Sequence, residues 1–160
     1  MKKFELTSET KAFFGNTLYR IRALISFGDV SAGDLGGFVE KEENLDQYGD
    51  AWVSDNAMAS DNAWVSGNAM VSGDAMVSGD AMVDKTGAIF WVGAVGSRNG
   101  TTTFFKCKDG KVRVTCGCFF GDLTEFAEKV NETHGDNEHG KVYMLAIEMA
   151  KARISLEGER

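Results

Sequence analysis

The chain has 160 residues, 43% of them apolar, so one domain or two small ones with a real core is expected rather than a disordered chain. Seventeen basic residues against 24 acidic ones give a formal charge of −7, which argues against direct nucleic-acid binding because that needs a basic footprint. No apolar run approaches the roughly 18 residues of a membrane span, no apolar leader follows Lys2 and Lys3, and three cysteines do not suggest a disulfide framework; a cytoplasmic setting without membrane contact is expected.

At the start, Lys2–Thr7 alternates as a short strand, Gly15-Asn16 marks a turn and Thr17–Ile25 alternates again, together suiting a terminal cap. Gly33, Gly36 and Gly37 predict a tight corner. The run Gly33-Asp34-Leu35-Gly36-Gly37 is not followed by the Lys-Ser/Thr of a phosphate loop.

From Tyr48 the chain divides into sixes: YGDAWV, SDNAMA, SDNAWV, SGNAMV, SGDAMV and SGDAMV, ending at Val83. Alanine recurs at 51, 57, 63, 69, 75 and 81. Valine recurs two places later, with Ala59 in one slot. Residues two apart on a strand face the same way, so each Ala-x-Val triplet reads as a very short strand with both ends inward. The Ser-Gly-Asp or Ser-Asp-Asn triplets read as turns, since Gly, Asn and Asp tolerate left-handed backbone. Strands this short do not make a flat sheet. They suit a parallel β-helix, whose successive coils pair about 4.8 Å apart.

This pattern resembles the hexapeptide repeat of left-handed parallel β-helices, in which three hexads make a coil of 18 residues. Val39 and Leu45 sit in phase with Ala51, and Ile21, Phe27 and Gly33 keep that phase, so residues 21–89 are expected to supply about four coils. The block LYRIRALISFGDVSAGDLGGFVEKEENL (18–45), the hexads, and Gly117-Cys118-Phe119-Phe120-Gly121 ahead of a helix are similar to a family of phage and prophage hexapeptide-repeat proteins. That resemblance implies a phage-type origin and this fold. It implies no settled activity.

The residue between alanine and valine points outward: Trp52, Met58, Trp64, Met70, Met76 and Met82. With 18 residues per coil, Trp52 lies beneath Met70, Met58 beneath Met76 and Trp64 beneath Met82. Large apolar side chains on an outer wall suit a binding or oligomer surface, or a wall covered by another part of the chain. Acid concentrates here too. Residues 40–84 hold ten acids, Asp50, Asp55, Asp61, Asp74 and Asp80 among them, against Lys41 alone, a net of −9. Acidic corners could imitate a phosphate backbone in a basic groove, or serve only as turn formers that keep the segment soluble. Calcium at the corners would need six to eight converging oxygens, which single Asp columns do not offer.

Residues 89–160 carry ten acids and ten bases. Ile89–Gly96, Thr101–Lys108 and Lys111–Gly121 are expected to form a three-stranded antiparallel meander, with Asp109-Gly110 as a two-residue hairpin loop. That loop would pair Cys107 with Val112, Phe105 with Val114 and Thr103 with Cys116, making a core face that also holds Cys118. The opposite face, Phe104, Lys106, Lys108, Lys111 and Arg113, would be wet and basic, a candidate contact for an acidic partner. Asp122 and Glu125 form a capping-box pair opening a helix with Leu123, Phe126 and Val130 inward. His134–Gly140 reads as a solvated loop. Val142, Leu145, Ala146, Met149 and Ala152 stripe a second helix that ends near Leu156, as its core face.

The expected architecture is therefore mainly β: a cap and left-handed β-helix over 1–88, then a small α+β domain over 89–160. Cys107, Cys116 and Cys118 lack zinc spacing, and no metal or cofactor is implied. Related β-helices include acyltransferases and carbonic anhydrases, which depend on histidines. The only histidines here are His134 and His139, so no catalytic constellation is expected. The expected function is a non-catalytic interaction protein whose acidic rod engages a host or phage macromolecule, with inhibition of a host defence or nucleic-acid-processing complex as one form. Self-association into an oligomer is the alternative, and a transferase-like enzyme a second one.

Overall fold

The computed structural model describes residues 2–158, with side chains as far as Ile154; Met1, Glu159 and Arg160, included in the expected domain limits, lie outside the described residues. It is mainly β, with two helices. Two compact units are present, Met1–Thr86 and Gly87–Arg160.

In the first unit, β1 (Phe4–Phe13) and β2 (Asn16–Ala23) form an antiparallel hairpin, and β2 pairs antiparallel with β3 (Leu35–Val39). Six two-residue strands follow: β4 (Trp52–Val53), β5 (Met58–Ala59), β6 (Trp64–Val65), β7 (Met70–Val71), β8 (Met76–Val77) and β9 (Met82–Val83). All their pairings are parallel and join residues 18 apart: Trp52 with Met70, Met58 with Met76, Trp64 with Met82. The chain thus returns to each of three sheets every 18 residues. Backbone amides of one circuit donate to carbonyls of the next, as from Met58 to Ala75 (3.0 Å), Trp64 to Ala81 (2.9 Å) and Ser66 to Val83 (2.9 Å). Alanines and valines of the repeat are inside, at most 2% exposed.

The corners explain the remaining residues. Every sixth residue has positive φ: Gly49, Asp55, Asp61, Gly67, Gly73 and Gly79. Glycine does this without strain, whereas Asp at φ 56° (Asp55) and 55° (Asp61) does not. Both Asp side chains recover something in return. Asp55 Oδ2 accepts from the Gly73 amide and Asp61 Oδ2 from the Gly79 amide, each at 3.1 Å and one circuit on.

The parallel pairing starts at Phe38, not at Ile21, so the repeat makes fewer circuits than the four expected. Residues 16–23 are an antiparallel strand instead. The first circuit is also longer: Phe38 pairs with Met58, Val39 with Ala59 and Leu45 with Val65, an offset of 20. Val39 therefore takes a valine slot rather than the alanine slot its phase suggested. Val39 to Leu45 and Ala59 to Val65 are both six-residue steps, whereas Leu45 to Val53 takes eight residues against six from Val65 to Val71, so the two extra residues lie between Leu45 and Trp52. A helical turn at Glu42–Asn44 precedes them. Fully buried Asn44 holds it, accepting from the Glu40 and Lys41 amides and donating Nδ2 to Ala63 O (2.8 Å) and Asp61 O.

The first three hexads have no hexads before them to serve their carbonyls, and three devices meet them. β3 donates from Phe38 to Ala57 O and from Glu40 to Ala59 O. Asn44 serves Ala63 O. Lys3, 1% exposed, sends its ammonium to Ala51 O (2.7 Å) and lies over the Phe27 ring, while the Gln47 side chain accepts from the amides of Lys3 and Phe4. Gly36 is required by close approach: a Cβ there would lie 2.5 Å from Val53 O and 2.7 Å from the Trp52 ring.

In the second unit the sheet has four strands, not three, in sequence order: β10 (Ile89–Val95), β11 (Gly100–Lys106), β12 (Val112–Cys116) and β13 (Phe119–Asp122). The fourth arises because Gly117-Cys118 is a turn, pairing Cys116 with Phe119. α1 (Leu123–His134) opens with the expected box: Asp122 accepts from the Glu125 amide (2.8 Å) and Glu125 from the Asp122 amide (2.9 Å). α2 (Glu138–Gly158) begins earlier than expected, leaving three residues between the helices. The core joins Val95, Phe104 and Val114 to Phe126, Val130, Tyr143, Ile147, Ala150 and Ile154.

Two outcomes follow. Asp55→Ala should lower the urea-unfolding free energy by about 1–2 kcal/mol, losing the bond to Gly73 while keeping a strained φ, whereas Asp55→Gly should cost less because it relieves that strain. Lys3→Met should cost about 1–3 kcal/mol by stranding Ala51 O. Burial pushes the Lys3 ammonium below its ordinary 10.5, against the pull of Asp46 and Asp50. The unfolded chain then holds that proton more tightly. The stability of the native sequence relative to Lys3→Met should therefore rise with pH between the depressed native value and 10.5, as measured by chemical unfolding across that range.

Candidate interaction surface

The repeat puts its six large side chains in three stacked pairs, as the 18-residue spacing requires, but the pairs differ in what covers them. Trp52 is 2% exposed, with Phe27 and Phe4 meeting it edge-on at ring separations of 5.2 and 6.4 Å. Met58 is 6% exposed in a cluster with Leu18 and Phe38, and Met76 and Phe13 pack against that cluster. The expectation that all six are available to a partner is corrected for Trp52 and Met58. The alternation shows which way a side chain points, not that N-terminal residues of the same chain lie over Trp52 and Met58.

Trp64 and Met70 remain exposed, each at 39%, and Met82, above Trp64, is half-buried. The corners before Trp64 and Met82 carry Asp61 and Asp80, and Asp84 follows Met82. Asp50, Asp55, Asp61, Asp74, Asp80 and Asp84 are all exposed. On one corner the Lys41 ammonium donates to Asn62 Oδ1 and Glu40 accepts from the Asp61 amide. The uncovered wall is thus an indole and a thioether set among carboxylates. Such a surface suits a partner that offers an apolar contact inside a basic rim.

The expected basic face of the second unit does not form. Lys108-Asp109-Gly110 is a three-residue loop, closed from the Cys107 amide to Lys111 O (2.9 Å), with Gly110 at φ 81°. This moves the register by one: Lys106 pairs with Val112, Phe105 with Arg113 and Phe104 with Val114. A one-residue shift exchanges the faces of a strand. Phe104 becomes fully buried core, and Lys106 and Arg113 fall on opposite sides of the sheet. Lys108 and Lys111 are exposed in and beside the loop. Arg113 is spent on Asp109 (2.9 Å), whose carboxyl is held below its usual range by the Lys111 amide and the Arg113 guanidinium.

The cysteines do not share one core face. Cys107 is buried, Cys116 half-buried and Cys118 exposed. Thr102 donates to Cys116 Sγ (3.3 Å), which donates to the Tyr143 hydroxyl (3.8 Å); burial and then Cys116 push that phenol up to about 12. His134 is the last residue of α1 rather than part of a loop. It is half-buried, stacked on Tyr143 at 5.6 Å and 5.4 Å from the His139 ring. Among the described residues no three His, Cys, Asp or Glu side chains gather as a metal site, and no helix is long and apolar enough to cross a membrane.

No family model matches the chain. It is similar to a protein of Escherichia coli K12 described as an uncharacterized acetyltransferase, YdcK, at 40% identity over 68 residues, covering 37% of this chain and 21% of that protein. The chain thus spans about a fifth of the length of the curated relative it matches.

The two tryptophans should separate in mutation. Trp52→Ala should cost about 3–5 kcal/mol by emptying a filled site, and Trp64→Lys about 1 kcal/mol or less, both read from urea midpoints.

Proposed function

We propose that the repeat segment winds as a left-handed parallel β-helix and that the protein is a non-catalytic, phage-type interaction protein. Its uncovered wall, Trp64 and Met82 with Asp61, Asp80 and Asp84, would engage a basic groove on a host macromolecule. Parallel pairing at 18-residue spacing, with a left-handed residue at every sixth position, supports the architecture. One observation carries the function: the equivalent side chains Trp52 and Met58 are covered from within the chain, while Trp64 is left open. An exposed tryptophan among acids is a costly surface for a chain that binds nothing. The net −9 of residues 40–84 would steer a basic partner and make its association sensitive to salt. Occupying a site built for phosphates would then inhibit a nucleic-acid-processing or defence complex.

The likeness to an acetyltransferase favours a second reading, acyl transfer. The two are separable. Wild-type protein should capture a basic host protein from lysate, with capture weakening as salt rises and disappearing in Trp64→Lys/Met82→Lys. Equal capture by both proteins would overturn the wall as the binding site. Transfer of an acetyl group from acetyl-CoA by the purified chain, lost in His134→Ala or His139→Ala, would instead establish the second reading.

A further inference from the structure

The second helix, α2, is apolar on two sides. Tyr143, Ala146, Ile147, Ala150 and Ile154 belong to the core of its unit. The sequence pattern places the core face on Val142, Leu145, Ala146, Met149 and Ala152; Ala146 is in the core, but Val142, Leu145 and Met149 are 42, 66 and 57% exposed, Ala152 is exposed as well, and Met144 is 42% exposed. At 3.6 residues per turn, Val142, Leu145 and Met149 fall within an arc of about 60°, centred roughly 120° around the helix from the buried face. Three- and four-residue steps along such a stripe are the spacing at which one helix receives another.

The surroundings of the stripe select its occupant. Lys141 and Glu148, seven residues apart, flank one edge, and Arg153 flanks the other. Laid antiparallel on itself, the helix sets Lys141 against the second copy's Glu148, twice by symmetry. Laid parallel, it sets Glu148 against the second copy's Arg153, again twice. Either direction matches opposite charges across an apolar seam. Among the described residues, Glu148 meets Lys151, at 3.5 Å on an exposed surface. Residues 89–160 are also electrically balanced, ten acids against ten bases, so two copies of this unit do not repel as two acidic repeat segments would. We propose that α2 pairs with α2 of a second copy of this chain through Val142, Leu145 and Met149. This contact is separate from the Trp64 wall.

Sedimentation equilibrium on the full chain tests it. The wild-type mass should climb with concentration toward twice the 17.4 kDa of one chain. Leu145→Lys/Met149→Lys should stay monomeric with an unchanged unfolding midpoint, and Trp64→Lys/Met82→Lys should still pair. Glu148→Lys sets like charges together in both directions and should weaken association roughly tenfold. Adding Lys141→Glu should restore it for an antiparallel pair, and adding Arg153→Glu for a parallel one. A wild-type monomer up to sub-millimolar concentration would overturn the proposal. So would undiminished pairing in Leu145→Lys/Met149→Lys, or a Glu148→Lys defect that neither second change repairs.

Discussion

The amide-to-carbonyl ladder between successive circuits sets the terms for the first unit. Each strand contributes two residues, too few to hold a sheet together by lateral pairing. Order comes from repetition: the amide at position i donates to the carbonyl at i+17, as from Trp52 to Ala69 and Trp64 to Ala81. Along the hexads every return has the same length, three hexads, with a left-handed residue at each corner. It also limits the interior. Alanine and valine fill it with at most 2% exposure, and larger side chains are sent to the walls.

A ladder of this kind ends in carbonyls that lack a donor, and the N-terminal residues answer that need differently on each side. A strand, a buried amide and a buried ammonium serve carbonyls that would otherwise be covered without partners. Lys3 is the most expensive of the three, since burying an ammonium opposes its charge. Bringing these residues to the first circuit also lays Phe4, Leu18 and Phe27 over Trp52 and Met58. Closing the edge and covering Trp52 and Met58 are therefore one event, while Trp64, and Met70 stacked on Trp52, stay exposed.

How much of this is legible without coordinates depends on whether the controlling signal is periodic. The hexads are, so the 18-residue stacking of Trp52 on Met70 and Trp64 on Met82 follows from spacing alone. The Asp122–Glu125 cap is legible for a similar reason, being a local exchange of two bonds. The two-residue excess of the first circuit is not, because it falls between Leu45 and Trp52, outside the regular hexads, and shows only in pairings between residues 20 apart. Asp109-Gly110 points to a hairpin but leaves open whether the loop holds two residues or three, and the one-residue difference exchanges the faces of β12 relative to β11. In α2 two apolar stripes compete. Val142, Leu145 and Met149 recur at helical spacing, yet Tyr143-Ile147-Ala150-Ile154 is taken into the core, where the small Ala146 and Ala150 permit close packing of the helix. Periodicity favours the first stripe, and of its residues Val142, Leu145, Met149 and Ala152 are left outside while Ala146 joins the core.

The same arithmetic bears on how one chain could hold two contacts at once. Charge is unevenly divided, −9 over residues 40–84 and zero over residues 89–160. Self-association driven by the repeat would have to overcome repulsion among its carboxylates, whereas the second unit meets no such opposition. Division of labour follows from electrostatics: the acidic wall suits a partner of opposite charge, and the neutral helix suits a copy of itself. A pair joined through α2 presents two Trp64 walls. Against a target with repeated basic sites, the second engagement becomes intramolecular, and avidity can exceed the single-wall affinity by about two orders of magnitude without any new contact, provided both walls reach their sites together. On the proposed reading, separating the pairing surface from the binding surface would let a modest apolar patch, one exposed indole and its neighbours, support tight binding while each chain keeps a small interface.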